Sequence, residues 1–289
     1  MADLVRLRLD ISYDGTEFSG WAIQPDRRTV AGALTQALSV LLRQPVQLVV
    51  AGRTDAGVHA QGQVSHVDVE VGALRALAPR NHSADQDEAA RTGLVRRLAG
   101  VLPPDVRVRS VRPAPDGFDA RFSALRRHYR YRVGTCEWGV EPRDRRFVLA
   151  RRRALDTDAM ARAAAALIGL HDFAAFCRPR EGASTTRELQ DLRVAPTDRP
   201  AGEVRIDVVA DAFCHSMVRA LVGSLLAVGE GREPIERPAA ILAAGQRTSA
   251  IHVAPAHGLT LMAVDYPPDA ELAGRAELTR ARRPSSHQP

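Results

Sequence analysis

Short runs of strict alternation, separated by amphipathic stretches, constrain this chain more than any other feature. In residues 4–12, Val5, Leu7, Leu9 and Ile11 fall on one face of an extended strand. Residues 64–71 repeat the pattern, with Val67, Val69 and Val71 opposite His66, Asp68 and Glu70. In "RRHYRYRV", Tyr129, Tyr131 and Val133 share one face, and Arg130 and Arg132 share the other. Strands of this kind bury one face, and the intervening stretches can cover it. "RTVAGALTQALSVLLRQP" reads as a helix: Thr29 suits the N-cap, Val30, Leu34, Leu38, Leu41 and Leu42 line one side, and Pro45 stops it. Further helices are expected over "TGLVRRLAGVLP", "DTDAMARAAAALIGLHDF", "CHSMVRALVGSLLAVGEG" and "PAAILAAGQR". Further strands are expected over residues 46–51, "DVRVRSVRP", "EVRIDVVAD" and "LTLMAVDY".

The order β-α-β-β-α-β, followed by a similar set, predicts an α+β chain of two halves, each a sheet with helices on one face. The boundary is expected at "RPAPDG" within residues 112–120, giving an N-terminal half over 1–115 and a C-terminal half over 116–268. The segment 73–92 is polar and without period, and reads as a flexible insertion. Residues 269–289 are polar and arginine-rich, and read as a disordered tail.

The chain of 289 residues, 45% hydrophobic, is long enough to bury a sizeable core. No apolar stretch is long enough to span a bilayer, and the alternating N-terminus lacks the apolar core of a signal peptide. A soluble cytoplasmic protein is expected. Cys136, Cys177 and Cys214 are far apart and form no Cys-x-x-Cys pair, so reduced thiols are expected. The net charge is +6, and all 40 basic residues are arginine. Lysine Schiff-base chemistry and a P-loop lysine are therefore excluded. The planar guanidinium fork suits phosphate, and a basic balance favours a polyanionic partner such as nucleic acid. Arginine clusters at 126–132, 143–153 and 178–180 are candidates for phosphate contacts or for plain solvated faces.

One corner stands out. After the apolar run 46–51 the chain reads "AGRTDAGVHAQGQVSH". Arg53, Asp55 and His59 lie within seven residues, beside Gly52 and Gly57. An aspartate between strands often only bonds its own turn. Glycines, however, let a ligand or another backbone come close. A carboxylate lifted on such a corner suits attack on, or proton removal from, a bound substrate.

This stretch resembles the signature of the tRNA pseudouridine synthase A family. "YDGTEFSGW", "RTVAGAL", "FDARFSALRRHYRYRV", "FCHSMVRALVGSLLAVG" and "APAHGLTLMAVDY" resemble further family blocks, in family order from about residue 7 to 266. The family usually has glutamine after the Gly-Trp pair, where this sequence has Ala22; the 73–92 segment is longer than usual and the tail after 268 has no counterpart. The resemblance implies the pseudouridine synthase fold, two α/β halves sharing a mixed, mostly antiparallel sheet with a central cleft. It implies isomerisation of uridine to pseudouridine at positions 38–40 of the tRNA anticodon stem-loop, by a homodimer without metal or cofactor.

Residue by residue, Asp55 matches the family nucleophile, Arg219 the cation that keeps it ionised, and Tyr129 the active-site tyrosine. Arg53 matches an arginine implicated in filling the space a flipped base leaves. The chemistry is compatible, since an electron-poor sugar carbon is commonly engaged by a carboxylate. Whether Asp55 attacks C1′ or removes a sugar proton stays open. Tyr131 shares the face of Tyr129, and spacing alone does not rank them. Arg219 falls near the start of its expected helix, where the dipole disfavours a cation and a carboxylate would offset the cost.

Two rival chemistries fit poorly. "ISYDGT" resembles the Asp-x-Asp-Gly-Thr loop of haloacid dehalogenase-like enzymes, but Ser12 occupies the nucleophile's position. The nine histidines are scattered without the spacing of a zinc site. A non-catalytic RNA-binding protein on the same fold, or a synthase acting on a different RNA, remains as the alternative. Pure binding does not require Asp55, Tyr129 and Arg219 together.

Overall fold

A computed structural model describes residues 3–79, 85–180, 182–198, 202–247 and 251–281. The chain divides into two compact units. One runs to Leu125 and resumes at Ala263; the other runs from Arg126 to Met262.

The first unit opens with β1 (Leu4–Tyr13), on which Leu7, Leu9 and Ile11 are fully buried. α1 (Val30–Leu42) follows. The Thr29 hydroxyl accepts from the Gly32 N–H at 3.2 Å, and Arg43 ends the helix in the left-handed region. Val30, Leu34, Leu38 and Leu42 are buried, and Leu41 is part-exposed. Each buried leucine contributes about 2 kcal/mol before ordering costs. β2 (Val49–Val50) and β3 (His59–Glu70) pair antiparallel. β3 also pairs antiparallel with β1, with Leu7 opposite Val67 and Ile11 opposite Gln63.

α2 (Val71–Arg75) and α3 (Gln86–Val101) come next, then β4 (Val106–Pro113) on the other edge of β1. The helices correct the expectation of a flexible insertion over 73–92, except at residues 80–84, which lie outside the described residues. The Asp85 carboxylate caps α3 by accepting from the N–H groups of Asp87 and Glu88, and Leu94 and Leu98 anchor it. Only four α3 residues are buried, so its outer face supplied the polar, period-free reading. The boundary also falls later than expected. Phe118 is 1% exposed, with its ring 5.0 Å from that of Tyr266, and so belongs to the first unit's core.

The second unit holds β5 (Arg126–Gly134), β6 (Leu149–Ala150), α4 (Thr157–Ala165), β7 (Gly169–Asp172), β8 (Thr186–Pro196) and β9 (Glu203–Ala210). α5 (Met217–Gly229) and α6 (Arg237–Ala244) follow, and β10 (Leu259–Asp265) spans the division. Strands run in the order β5-β9-β8-β7, each neighbouring pair antiparallel, and β6 adds in parallel to β5.

Two expectations fail here. The helix expected through Phe173 stops at Ala165, because Gly169 takes a φ of +124° and the chain turns into β7 against β8. β8 itself was not expected. A register shift between Leu189 and Asp191 lets Leu189 and Leu192 both be buried, which breaks the period-2 signal.

The chain returns to the first unit as α7 (Leu272–Arg280), where a tail without structure was expected. Leu272 and Ala276 are each 1% exposed, and Arg280 donates to the Asp119 carboxylate at 3.0 Å. Two apolar residues four apart suffice to dock one turn, too few to register as a pattern. Residues 282–289 of that expected tail lie outside the described residues. The class is α+β, as expected. No helix among the described residues is long and apolar enough to cross a membrane.

Candidate active site

Asp55 lies on the corner between β2 and β3 and is part-exposed, with Arg53 exposed and Thr54 buried. The corner is held from below and from the side. The Thr54 hydroxyl is 2.8 Å from the Tyr13 hydroxyl at the end of β1. The Gln63 amide donates to the Tyr13 oxygen at 3.3 Å and to the Gly52 carbonyl at 2.9 Å. The Thr54 carbonyl accepts from the Trp21 N–H at 3.1 Å, and the Asp55 carbonyl accepts from the Val58 N–H at 3.2 Å. Burial pushes the Tyr13 phenol up to about 12, against the smaller opposing effect of its hydrogen bonds to Thr54 and Gln63. It therefore stays neutral at physiological pH.

The "YDGTEFSGW" segment packs against the same corner. Gly20 has a φ of +93°, and a Cβ there would sit 2.9 Å from the Thr54 carbonyl oxygen. A Cβ on Gly15 would collide with the Val58 carbonyl. His59 is 1% exposed, and its Nδ1 accepts from the Gly15 N–H at 2.9 Å. The same Nδ1 lies 3.2 Å from the Asp14 carboxylate. His59 thus serves the packing of two loops.

In the second unit, Tyr129 on β5 is 8% exposed and meets Phe213 edge-on, with ring centroids 5.1 Å apart. Tyr131 is 0% exposed, its hydroxyl donates to the Pro255 carbonyl at 2.8 Å, and its ring lies where a Cβ on Gly258 would be. Burial raises the Tyr131 phenol well above its ordinary value, while the charges of Arg151 and Arg219 oppose that. The structure thus separates two tyrosines that spacing did not rank. Tyr131 is sealed and Tyr129 keeps some surface.

Arg219 is the third residue of α5, part-exposed on a helix that is otherwise buried along its length. Its Nε donates to the Ala254 carbonyl at 2.8 Å, and the Ala254 N–H donates to its carbonyl at 2.9 Å. That strap of chain reaches α5 because Gly223 has no side chain, and a Cβ there would collide with the His252 carbonyl. Ser216, just before α5, is one of three non-glycine residues at positive φ among those described.

Sequence comparison decides the family. The chain is 58% identical over 281 residues to the tRNA pseudouridine synthase A of Frankia casuarinae, covering 97% of this chain and 96% of the relative. It is 54% identical over 282 residues to the synthase of the same name from Mycobacterium leprae, covering 97% and 96%. This chain belongs to the tRNA pseudouridine synthase A family. A family pattern described as tRNA pseudouridine synthase also matches residues 163–267, a span that contains Arg219.

Within this family member, the four residues expected at the site divide between the units: Arg53 and Asp55 in the first, Tyr129 and Arg219 in the second. Sequence reading missed Tyr13 and Gln63, since only the β1–β3 register puts them beside residues 52–54. The expectation of three reduced thiols also fails. Cys177 and Cys214 are paired as a disulfide, with Cα atoms 5.6 Å apart across 37 positions of sequence. Their separation in sequence gave no sign of this closeness. Cys214 immediately follows Phe213, the partner of Tyr129. Cys136 stays outside the disulfide.

Of the arginine cluster at 126–132, three members are committed to structure. Arg127 donates to the Asp211 carbonyl at 2.6 Å, Arg130 to Asp207 at 2.7 Å, and Arg132 to both oxygens of Glu203. Arg143, Arg145, Arg152, Arg153, Arg178 and Arg180 are exposed. No group of His, Cys, Asp or Glu among the described residues is arranged to hold a metal.

Proposed function

We propose that this protein isomerises uridine to pseudouridine in tRNA, at positions 38–40 of the anticodon stem-loop, with Asp55 as the carboxylate that engages the sugar. The observation that carries this reading is Asp55 itself, part-exposed on a corner fixed by hydrogen bonds on both flanks, in a chain 58% identical to a named synthase.

The reaction breaks the N1–C1′ bond, rotates the uracil and joins C5 to C1′. The proton on C5 is released to solvent and N1 gains one, so atoms balance without a cofactor or metal. A carboxylate supports cleavage by stabilising or capturing C1′ as the base departs. Arg219 is assigned the role of keeping the nucleophile ionised, because a carboxylate in a water-poor site otherwise gains a proton. Tyr129 is assigned to stack on the displaced base, and its hydroxyl to assist removal of the C5 proton. Arg53 is assigned to the space left in the RNA stem when the base is extruded. The family resemblance supports a homodimer and a cytoplasmic location.

The test is tritium release from tRNA labelled at uracil C5, with chelator present, comparing wild type and Asp55→Ala. Release by wild type alone is expected, with RNA affinity of the variant within about three-fold, since binding rests on many phosphate contacts. Tight binding without release by either protein would support the RNA-binding reading instead. Light scattering of the same preparation checks the homodimer.

A further inference from the structure

Thr54 is buried between Arg53 and Asp55, which both keep surface; Tyr13 holds it and Gln63 in turn holds Tyr13, and neither of these side chains has been assigned a role. Tyr13 is 5% exposed and Gln63 is 0% exposed. The Gln63 amide uses both of its hydrogens here, one to the Gly52 carbonyl at 2.9 Å and one to the Tyr13 oxygen at 3.3 Å. Its own oxygen accepts from the Val64 N–H at 3.2 Å. The Tyr13 hydroxyl then meets the Thr54 hydroxyl at 2.8 Å. One continuous chain of polar groups therefore runs from Gly52, through Gln63 and Tyr13, to Thr54. It brackets Arg53 and ends on the residue bonded to Asp55.

We propose that Tyr13 and Gln63 are positioning residues for the reaction, acting through Thr54 and Gly52 to set the place of the Asp55 carboxylate. This rests on the reading of Asp55 as the nucleophile. Physical cost argues for such a role. A phenol and a carboxamide buried on two core strands displace apolar packing, and an unpaired buried polar group is costly. Here each finds one partner on the loop that carries the candidate nucleophile, Tyr13 at Thr54 and Gln63 at Gly52. Catalysis is sensitive to displacements of about 1 Å in a reacting group. A neutral hydroxyl pair resists sliding in a way that an apolar contact does not, because its geometry is directional.

The test uses the full chain and C5-tritiated tRNA under saturating and subsaturating conditions. Tyr13→Phe keeps the ring and removes the hydroxyl. The expected result is a kcat lower by about 10- to 100-fold with KM and tRNA affinity within about two-fold. Thr54→Val should match that loss, and Thr54→Ser should restore kcat to within about three-fold of wild type. The Tyr13→Phe, Thr54→Val double variant should be no worse than either single one, as expected when both act through the same contact. Unchanged kcat in Tyr13→Phe, equal kcat in Thr54→Val and Thr54→Ser, or a loss that follows only the folded fraction would each overturn the proposal. Should Tyr13→Phe not accumulate as folded protein, the two Thr54 variants decide alone. Asp55→Ala is run beside them. Activity in that variant sinks the reading of the nucleophile, whereas an inactive Asp55→Ala with normal Tyr13→Phe sinks only the positioning role.

Discussion

Replacing Gly20 by alanine would put a methyl carbon 2.9 Å from the Thr54 carbonyl oxygen and 3.1 Å from the Ala56 nitrogen. Its φ of +93° adds strain for any residue with a side chain. Neither clash relaxes by turning a flexible side chain, because both atoms belong to the backbone that carries Asp55. Gly20→Ala should therefore lower turnover by about ten-fold or more while tRNA affinity changes little, measured by tritium release beside filter binding. Normal turnover would show that the corner tolerates displacement. Arg53, Asp55 and His59 were legible because they sit within one short stretch. Tyr13 and Gln63 were not, because their link to that stretch exists only once β1 and β3 are in register. His59 shows the converse. It looked chemical beside Asp55, yet its Nδ1 is occupied by the Gly15 N–H.

Elements followed the same division between local and non-local information. α1 was readable from its cap, its apolar stripe and its proline stop, all carried within the segment. β8 was unreadable because a bulge interrupts its alternation, and β7 because an alanine-rich run continued the helical pattern up to a glycine that breaks it. α7 was missed because long-range packing, rather than periodicity, stabilises it. Asp119 is the pivot of that docking. Its carboxylate accepts from the N–H groups of Arg121 and Phe122 at 2.8 and 2.9 Å and from Arg280 at 3.0 Å. Burial, the largest single influence, would raise its pKa, but the Phe122 and Arg121 N–H groups, with His66 and the Arg280 hydrogen bond, together outweigh that and hold it below the ordinary 3.8. A lowered folded value means the stabilisation is fully present above the ordinary value and fades as pH falls through the folded one. Asp119→Ala should therefore cost about 2 kcal/mol at pH 7. The gap between the melting temperatures of wild type and variant should then narrow below about pH 4. A gap independent of pH would show that the loss comes from packing rather than from the charged carboxylate.

For the whole molecule, a net charge of +6 says little until the arginines are sorted by what they already hold. Arg6 with Asp68, Arg28 with Asp105 and Arg130 with Asp207 are spent on internal pairs, each at 2.7 Å. The sequence grouped 126–132 with the other clusters because a run of basic residues looks the same whether or not a facing strand answers it. β9 answers this one, with Asp207 opposite Arg130 in the register and Glu203 holding Arg132. Phosphate binding should then fall to the exposed arginines, among them Arg178 and Arg180. Removing one arginine that pairs with a phosphate should reduce the slope of log affinity against log salt by about one unit. Arg178→Ala combined with Arg180→Ala should thus flatten the salt dependence of tRNA binding while leaving thermal stability nearly unchanged. Arg130→Ala should do the reverse, because it takes a partner from Asp207 inside the sheet and leaves the phosphate-binding surface intact. Titrations of labelled tRNA at several salt concentrations, paired with thermal melts, separate the two classes. A slope unchanged by the double variant would move the RNA-facing surface elsewhere, and the Arg143–Arg153 cluster would be the next to test.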